Sequence, residues 1–363
     1  MSRFNVGGTS QWLYQLSRGL DDRNISNLLL IGDCPDGERE DDRLANLKHR
    51  RITGLGPKIS VLQTFRAIRQ LRRVIKNYDP DIINTHTSKA GILGRIAAKS
   101  SGSKAKVVHT YHGHVLHGYF NPIFQSLIRF IEITLSFITD FFLVSGEQVL
   151  QDLRKAGIIR SKPVLTIWPA VPDITPGDRE ELRKSLGIPN DAVVFGWLGR
   201  KVPIKRIDRI VELARTRPSH YFVIAGDGEE VKSPGSNYSA EGLENLLELG
   251  FTSPSSIWAI SDICLLTSDN EAMPISPIEA ALCSRPVIAT DAGSTREVVL
   301  QGETGFVCQK DVKKLLTYVD LLASDKALRA KLGDEARKFA LSRFSAESSI
   351  ERQIVGYKQS LSV

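Results

Sequence analysis

Along the whole chain, short unbroken apolar runs alternate with stretches in which apolar residues recur every three or four positions. The runs at 27–31, 81–85, 106–111 and 141–144 predict strands buried on both faces, and the periodic stretches at 62–77 and 90–99 predict helices between them. The alternation resumes with strands predicted at 192–198, 221–225, 263–267 and 286–290, a helix at 207–215, a short strand opened within 302–307, and two closing helices. Strands alternating with helices specify parallel sheets covered by helices, so the expected class is α/β with two doubly wound, Rossmann-like sheets. Between the two sets, 168–184 is dense in Pro, Asp and Gly and reads as a linker. The expected division is 1–170, 171–345 and a closing helix over 346–363.

One stretch, 261–294, organises the second half. Its apolar run ends in the turn-forming SDNEAMP, after which Ile275, Ile278, Ala281 and Leu282 repeat at helical spacing, with Ser276 and Pro277 suited to a first turn. Glu271 therefore falls at the carboxyl end of a strand and Glu279 two turns into the following helix. In an open α/β sheet that edge is where ligands bind, and a helix start offers unpaired N–H groups to an anion. Comparable edges carry Arg200 and Lys205 in GRKVPIKR, the turn Gly226, Asp227, Gly228 and Glu229, and His112 with Gly113. Gly7 and Gly8 precede a helix marked by Leu13, Leu16 and Leu20. A glycine pair of this kind serves a plain helix-start loop as well as a phosphate site, and the GDGE turn is equally compatible with a tight strand-to-helix connection.

Composition narrows the class further. At 363 residues, with 42% hydrophobic and 25% charged residues, the chain suits about two globular domains and neither a disordered nor a fibrous reading. Cys34, Cys264, Cys283 and Cys308 form no CxxC pair, so neither zinc nor a disulfide framework is indicated and a reducing cytosol is the expected home. No signal-peptide pattern opens the chain, and the apolar stretch 130–144 is broken by Glu132 and Asp140, short of the ~20 residues a membrane span needs. The expected location is the cytoplasm or the inner face of a membrane. The net charge of +7 is concentrated in 43–76, which holds ten Lys or Arg and no Asp or Glu. That region reads either as a solvated face or as a surface attracted to anionic headgroups or an anionic acceptor. No nucleic-acid module accompanies it, so nucleic acid is not an expected partner. The stretch 121–139, apolar on most sides of a helix, is expected to be buried at a domain face, with peripheral membrane contact as the alternative.

Together these residues resemble a family. The 261–294 stretch is similar to the paired-glutamate signature of retaining nucleotide-sugar glycosyltransferases of family 4, which have the GT-B fold. The resemblance implies two Rossmann-like domains facing across a cleft, the first binding acceptor and the second a nucleotide-diphosphate sugar. It implies Glu271 on sugar hydroxyls, Glu279 on the ribose, and Met273, Pro274 and Ile275 as donor-binding residues at the helix start. Arg200 and Lys205 would hold the diphosphate, Gly226, Asp227 and Gly228 would lie beside the base, and Gly7 and Gly8 near diphosphate and acceptor. TYHGH resembles the family loop in which a histidine contacts the transferred sugar, which implies that role for His112; His86, in THTSKAG, and His114 are acceptor candidates. His109 points into a strand and reads as core, while His117 suits the acceptor mouth or a simple loop. THTSKAG followed by HTYHGH suggests a lipid-linked or polysaccharide acceptor in cell-surface glycan synthesis.

Three features depart from the family. Ala272 stands where glycine is usual, only five residues separate Met1 from the glycine pair so that the first strand is nearly absent or truncated, and 231–241 breaks helical pattern. DPD at 79–81 mimics a metal motif of the other large glycosyltransferase fold, but it reads as a turn because Pro80 ends a helix and apolar residues follow at once.

Transfer from such a donor builds negative charge on the departing diphosphate. Arg200, Lys205 and the helix N–H groups after Pro274 are placed to stabilise it, an oriented donor being worth roughly 3 kcal/mol, so neither a metal nor any cofactor beyond the donor substrate is expected. The family implies retention at the anomeric carbon. No enzymic nucleophile is evident, which fits a front-face route with Glu271 as a positioning residue. A nucleotide-sugar 2-epimerase and a degenerate sugar-nucleotide-binding relative are the rival readings. A dehydrogenase is disfavoured, because no GxGxxG follows an early strand.

Overall fold

The structure is a computed structural model that describes residues 1–35, 37–58, 60–113, 122–227 and 242–363. His114, His117, Gly228, Glu229 and the 231–241 stretch lie outside the described residues. The chain forms two compact units, Met1–Val171 with Ala346–Val363, and Pro172–Ser345.

Unit 1 runs α1 (Gly8–Asp21), β1 (Leu29–Ile31), β2 (His49–Arg51), α2 (Val61–Tyr78), β3 (Ile82–His86), α3 (Ser88–Ser101), β4 (Lys106–Tyr111), α4 (Pro122–Ser136), β5 (Phe141–Ser145), α5 (Glu147–Lys155) and β6 (Val164–Ile167). β3 to β6 form a parallel sheet in chain order, and β1 and β2 pair with each other. β2 has no apolar run to announce it: His49, Arg50 and Arg51 are all exposed and become a strand through the ladder to β1. Residues 1–4 are not a strand. They are nevertheless tied in, for Met1 O accepts from Gly32 N at 3.2 Å, Ser2 Oγ meets Thr87 Oγ1 at 2.7 Å, and Phe4 is fully buried. Asp79 closes α2 in the left-handed region and Pro80 follows, so DPD is a turn into β3.

Trp12, Leu13, Leu16 and Leu20 of α1 pack with Ile31, Val108, Phe141 and Leu143 to form one core of this unit. On α3, Gly91 and Gly94 bring the helix onto the sheet; an added Cβ would fall 2.6 Å from the His109 ring and 2.7 Å from Thr85 Cγ2. The outer side of α4 is not buried as expected. Its inner side places Glu132 against fully buried Arg95, while Ile123, Leu127 and Phe130 face solvent.

Unit 2 runs α6 (Arg179–Ser185), β7 (Val194–Leu198), α7 (Ile207–Thr216), β8 (Tyr221–Ala225), β9 (Leu246–Leu249), α8 (Pro254–Ile260), β10 (Ile263–Leu266), α9 (Ile275–Leu282), β11 (Val287–Thr290), α10 (Thr295–Val298), β12 (Gly305–Cys308), α11 (Val312–Ser324) and α12 (Lys326–Phe344). The end of the expected linker is helical, because the Asp178 carboxylate caps α6 by accepting from Glu181 N at 3.0 Å. All six strands are parallel, in the order β12-β11-β10-β7-β8-β9. From β7 the chain winds outward through β8 and β9, then returns to the other side of β7 at β10. The order reverses between β7 and β10, the position at which an open sheet leaves a crevice at its carboxyl edge.

After unit 2 the chain returns to unit 1 as α13 (Ala346–Leu361). Ile350 and Ile354 enter the core built on Trp12 and Leu16. Gly19 admits Ile350, whose Cδ1 lies 2.3 Å from where a Cβ would stand.

Candidate functional site

In unit 2 the loops after β7 and β10 meet where the strand order reverses. A short 3-10 turn, Pro203–Lys205, carries Lys205 toward the neighbouring loop, and Lys205 Nζ lies 2.6 Å from Glu271 Oε1. Ser268 Oγ donates to the same oxygen at 2.5 Å. The backbones are joined as well: Asp269 N donates to Ile204 O at 2.8 Å, and Thr267 Oγ1 to Lys205 O at 2.9 Å. Behind them, Asp269 pairs with Arg206 at 3.1 Å and Arg209 at 2.8 Å. Partial burial opposes the charge on Asp269, yet the hydrogen bonds from the two arginines hold its carboxyl below the ordinary range.

The Glu271 backbone is pinned from the far side. Ser294 N donates to Glu271 O at 3.1 Å, and a Cβ on Gly293, whose φ is +56°, would fall 1.9 Å from that carbonyl oxygen. The small residues of DAGS, 291–294, are thus explained by the close approach of the Glu271 loop. Gly226 plays the same part between strands, since with φ +125° its Cβ would meet Gly199 O at 2.0 Å.

Pro274 caps α9 without a side-chain hydrogen bond, so the first-turn N–H groups of Ile275 and its successors have no capping side chain. Met273 is buried and Ile275 half-buried beside them. Glu279 sits deeper in α9, only 5% exposed. Burial first, and its carboxylate second, hold the Cys264 thiol well above the ordinary range. Arg200 and Asp227 are exposed at the ends of β7 and β8. The structure therefore joins Lys205 directly to Glu271, and leaves Arg200 outside that ion pair.

Unit 1 assembles a second cluster at the carboxyl ends of β3 and β4. His86 ends β3 and His112 follows β4; His86 Nδ1 and His112 Nε2 are 2.8 Å apart, with ring centroids at 5.1 Å. Trp12 of α1 meets the His112 ring edge-on at 4.6 Å. Burial lowers the His112 pKa to about 3 and puts His86 well below the ordinary range, so both rings are neutral at physiological pH. With one ring nitrogen engaged by His86, His112 is left with a buried Nδ1 that has no partner. Next to His86, Thr87 holds φ +64°, the only β-branched residue with positive φ among the described residues. Strain of this sort is sustained by surrounding contacts, here those from Ser2. His109 is core, bonded to Thr85 Oγ1 at 2.8 Å and edge-on to Tyr111. Gly7 is exposed with nothing within 4 Å of its Cβ position, and Gly8 opens α1.

Ser268, Asp269, Arg206, Arg209, Gly293, Trp12 and Thr87 were not singled out individually in the sequence. Apart from Ser268, which bonds to Glu271 three residues on, each acts through a partner far along the chain, so spacing carries no signal for it; only the positive φ at Gly293 is a demand that glycine itself announces.

Two family profiles match the chain: Glycosyltransferase Family 4 over residues 6–173 and Glycosyl transferases group 1 over residues 178–339. The UDP-Gal:alpha-D-GlcNAc-diphosphoundecaprenol alpha-1,3-galactosyltransferase of Escherichia coli is 28% identical over 288 residues, 74% of this chain and 73% of that protein. The putative glycosyltransferase EpsD of Bacillus subtilis strain 168 is 27% identical over 306 residues, 80% of this chain and 79% of its own. Among solved structures, Anabaena HepE in complex with UDP superposes with a TM-score of 0.81 at 21% identity, over 99% of this chain and 98% of that one.

Proposed function

Because the chain belongs to glycosyltransferase family 4, enzymes of GT-B fold that use nucleotide sugars, we propose that it moves a sugar from a UDP-sugar to a lipid-linked or polysaccharide acceptor of the cell surface, with retention. The observation that carries this reading is the Lys205–Glu271 pair at the point where the strand order of unit 2 reverses. UDP is favoured because the HepE structure holds it and the E. coli relative is named for UDP-Gal.

In this reading the diphosphate lies against Lys205, Arg200 and the uncapped N–H groups of α9. Glu271 keeps the ammonium oriented before the donor arrives, then shares it with the leaving phosphate and accepts a sugar hydroxyl. Glu279 takes the ribose hydroxyls, and Asp227 with Gly226 borders the base. Charge that develops on the leaving group meets donors already in place, which is the electrostatic task of the reaction and needs no divalent ion. His112 presents its free Nδ1 to the transferred sugar, and His86 fixes the orientation of that ring. The neutral imidazole offers a hydrogen bond without adding charge beside the anomeric carbon. Gly7 and Gly8 leave the start of α1 open to the acceptor side.

The test is a screen of UDP- and GDP-sugars for hydrolysis and transfer, with EDTA present and absent, comparing the wild type with Lys205→Ala and Glu279→Ala. Turnover of a UDP-sugar that survives EDTA and fails in the variants is expected. Conversion of the donor sugar without acceptor would instead identify an epimerase, and equal activity in all three proteins would refute the site.

A further inference from the structure

We propose that α4 and the first turn of α2 form a seat for an anionic lipid bilayer surface, the apolar side chains entering the headgroup boundary and the α2 cations facing the lipid phosphates. The proposal goes beyond the transfer reaction and uses no residue of its site.

On α4, Ile123 is 83% exposed, Leu127 50% and Phe130 68%; Phe137, just past the helix, is 69% exposed. With Thr134 they occupy positions 123, 127, 130, 134 and 137, which at about 100° per residue share one narrow stripe roughly 20 Å long. Apolar area of this extent, left in water on one helix face, marks a contact surface. The stripe is also free of negative charge for a structural reason. The single carboxylate of α4, Glu132, is turned inward, where its Oε2 accepts from Arg95 Nη2 at 2.7 Å and from Tyr111 Oη at 2.6 Å.

α2 repeats the pattern with charge added. Val61, Leu62 and Phe65 are exposed in its first turns, Phe65 by 69%. Arg66, Arg69, Arg72, Arg73 and Lys76 follow, all exposed, with no acidic residue before Asp79. None of these five forms an ion pair or side-chain hydrogen bond among the described residues. Two other cations of the basic region are paired, Arg43 with Asp41 and Arg51 with Glu40, both at 2.5 Å. Within the basic stretch read from the sequence, α2 is the helix that sets exposed cations beside exposed apolar side chains. α2 packs on α3 and α3 packs on α4, and Ile96, also exposed, lies on the helix between.

Unmated cations beside an apolar stripe call for a partner that is apolar and anionic at once and wide enough to meet both helices. An anionic bilayer has that chemistry, taking an amphipathic helix flat in its headgroup layer while drawing in Lys and Arg. A second copy of this chain is a poor match: a two-fold contact would bring the α2 cations of one copy onto those of the other. Among the described residues, no helix is long and apolar enough to cross a membrane, so the contact is peripheral.

Flotation of the full chain with phosphatidylcholine vesicles, with and without phosphatidylglycerol, tests this. The wild type is expected to float with the anionic vesicles at physiological salt and to be released at high salt. Arg66→Gln/Arg69→Gln/Arg73→Gln should weaken partitioning about a hundred-fold, roughly five-fold per charge. Leu127→Gln/Phe130→Gln/Phe137→Gln should weaken it at least about ten-fold, with unfolding temperature and donor turnover unchanged because these side chains already face water. Absence of binding to anionic vesicles, or undiminished binding by the apolar variant, would overturn the proposal. So would a wild-type dimer that the apolar variant dissociates without any change in flotation, since a second copy would then cover the stripe. Donor turnover is measured on the same samples, so failure of the lipid seat and failure of the transferase reading remain distinct.

Discussion

The two units handle charge in opposite ways. Around the loops of unit 2, each cation behind Glu271 has a carboxylate partner: Lys205 has Glu271, while Arg206 and Arg209 share Asp269. In unit 1 the polar cluster at the ends of β3 and β4 is kept neutral by burial, as with His86 and His112, and the five cations of α2 lie outside it, exposed. The difference teaches what each site is prepared for. In the proposed reading, an ammonium already oriented suits a loop that meets an anion, whereas an uncharged imidazole pair suits hydrogen bonding to a hydroxyl without drawing ions.

The largest expected break of this comparison lies in the interior of unit 1. Arg95→Ala leaves Glu132 buried without its counter-charge, and should cost unit 1 about 3–5 kcal/mol. Hydrogen exchange should record that loss in unit 1 amides and none in unit 2; equal loosening of both would show that the units are not separate in stability. Next comes Lys205→Ala, expected to lower kcat/KM for the donor about 10²- to 10³-fold. Combined with Glu271→Ala it should cost much less than the product of the single effects, because the two side chains act as one pair. Strict additivity in steady-state kinetics would separate them.

Acid sharpens the contrast. The folded pKa of His112 is about 3, lowered first by burial and then by the nearby amino-terminal charge, against about 6.5 unfolded. The unfolded chain therefore binds the extra proton as pH falls below 6.5, and the stability supplied by the neutral ring, complete above that value, is lost progressively toward pH 3. By pH 5 the loss from His112 is about 2 kcal/mol. His86 and His109 shift in the same direction, and six of the seven histidines lie in unit 1. Denaturant titrations between pH 7 and pH 5 should show unit 1 weakening more than unit 2; a uniform loss would contradict the buried-imidazole account.

The smallest effect tests orientation. His86→Asn keeps a polar group where Nδ1 stands and should leave kcat within about three-fold, while His86→Gln, whose amide reaches the Nε2 position, should lower it by up to about ten-fold. Matching losses in both variants would mean that His86 does not orient His112.

Much of the fold was legible because buried parallel strands are written as apolar runs. Most predicted strands fall within a residue or two of β3, β4, β5, β7, β8, β10 and β11. β2, β6 and β9 were not legible. β2 and β9 include exposed residues, Glu248 in β9 among them, that exist as strands only through their neighbours. α4 shows the converse limit: apolar residues around a helix predict burial, but whether anything covers the outer stripe is decided by tertiary structure. At the candidate site, residue types and loop positions could be read, since Lys205 and Glu271 both sit at strand ends. Their meeting could not, for it depends on β10 returning to lie beside β7, and a strand order is not encoded in either segment alone.

The return of α13 has a consequence for biosynthesis. Unit 2 is one uninterrupted segment and can close as soon as its own residues leave the ribosome, while the nascent unit 1 must wait for Ile350 and Ile354 before its core beside Trp12 is filled. A chain stopped at Ser345 would thus hold a finished second half and a first half open to chaperones and proteases, an inversion of the usual order in which the earlier-made part matures first.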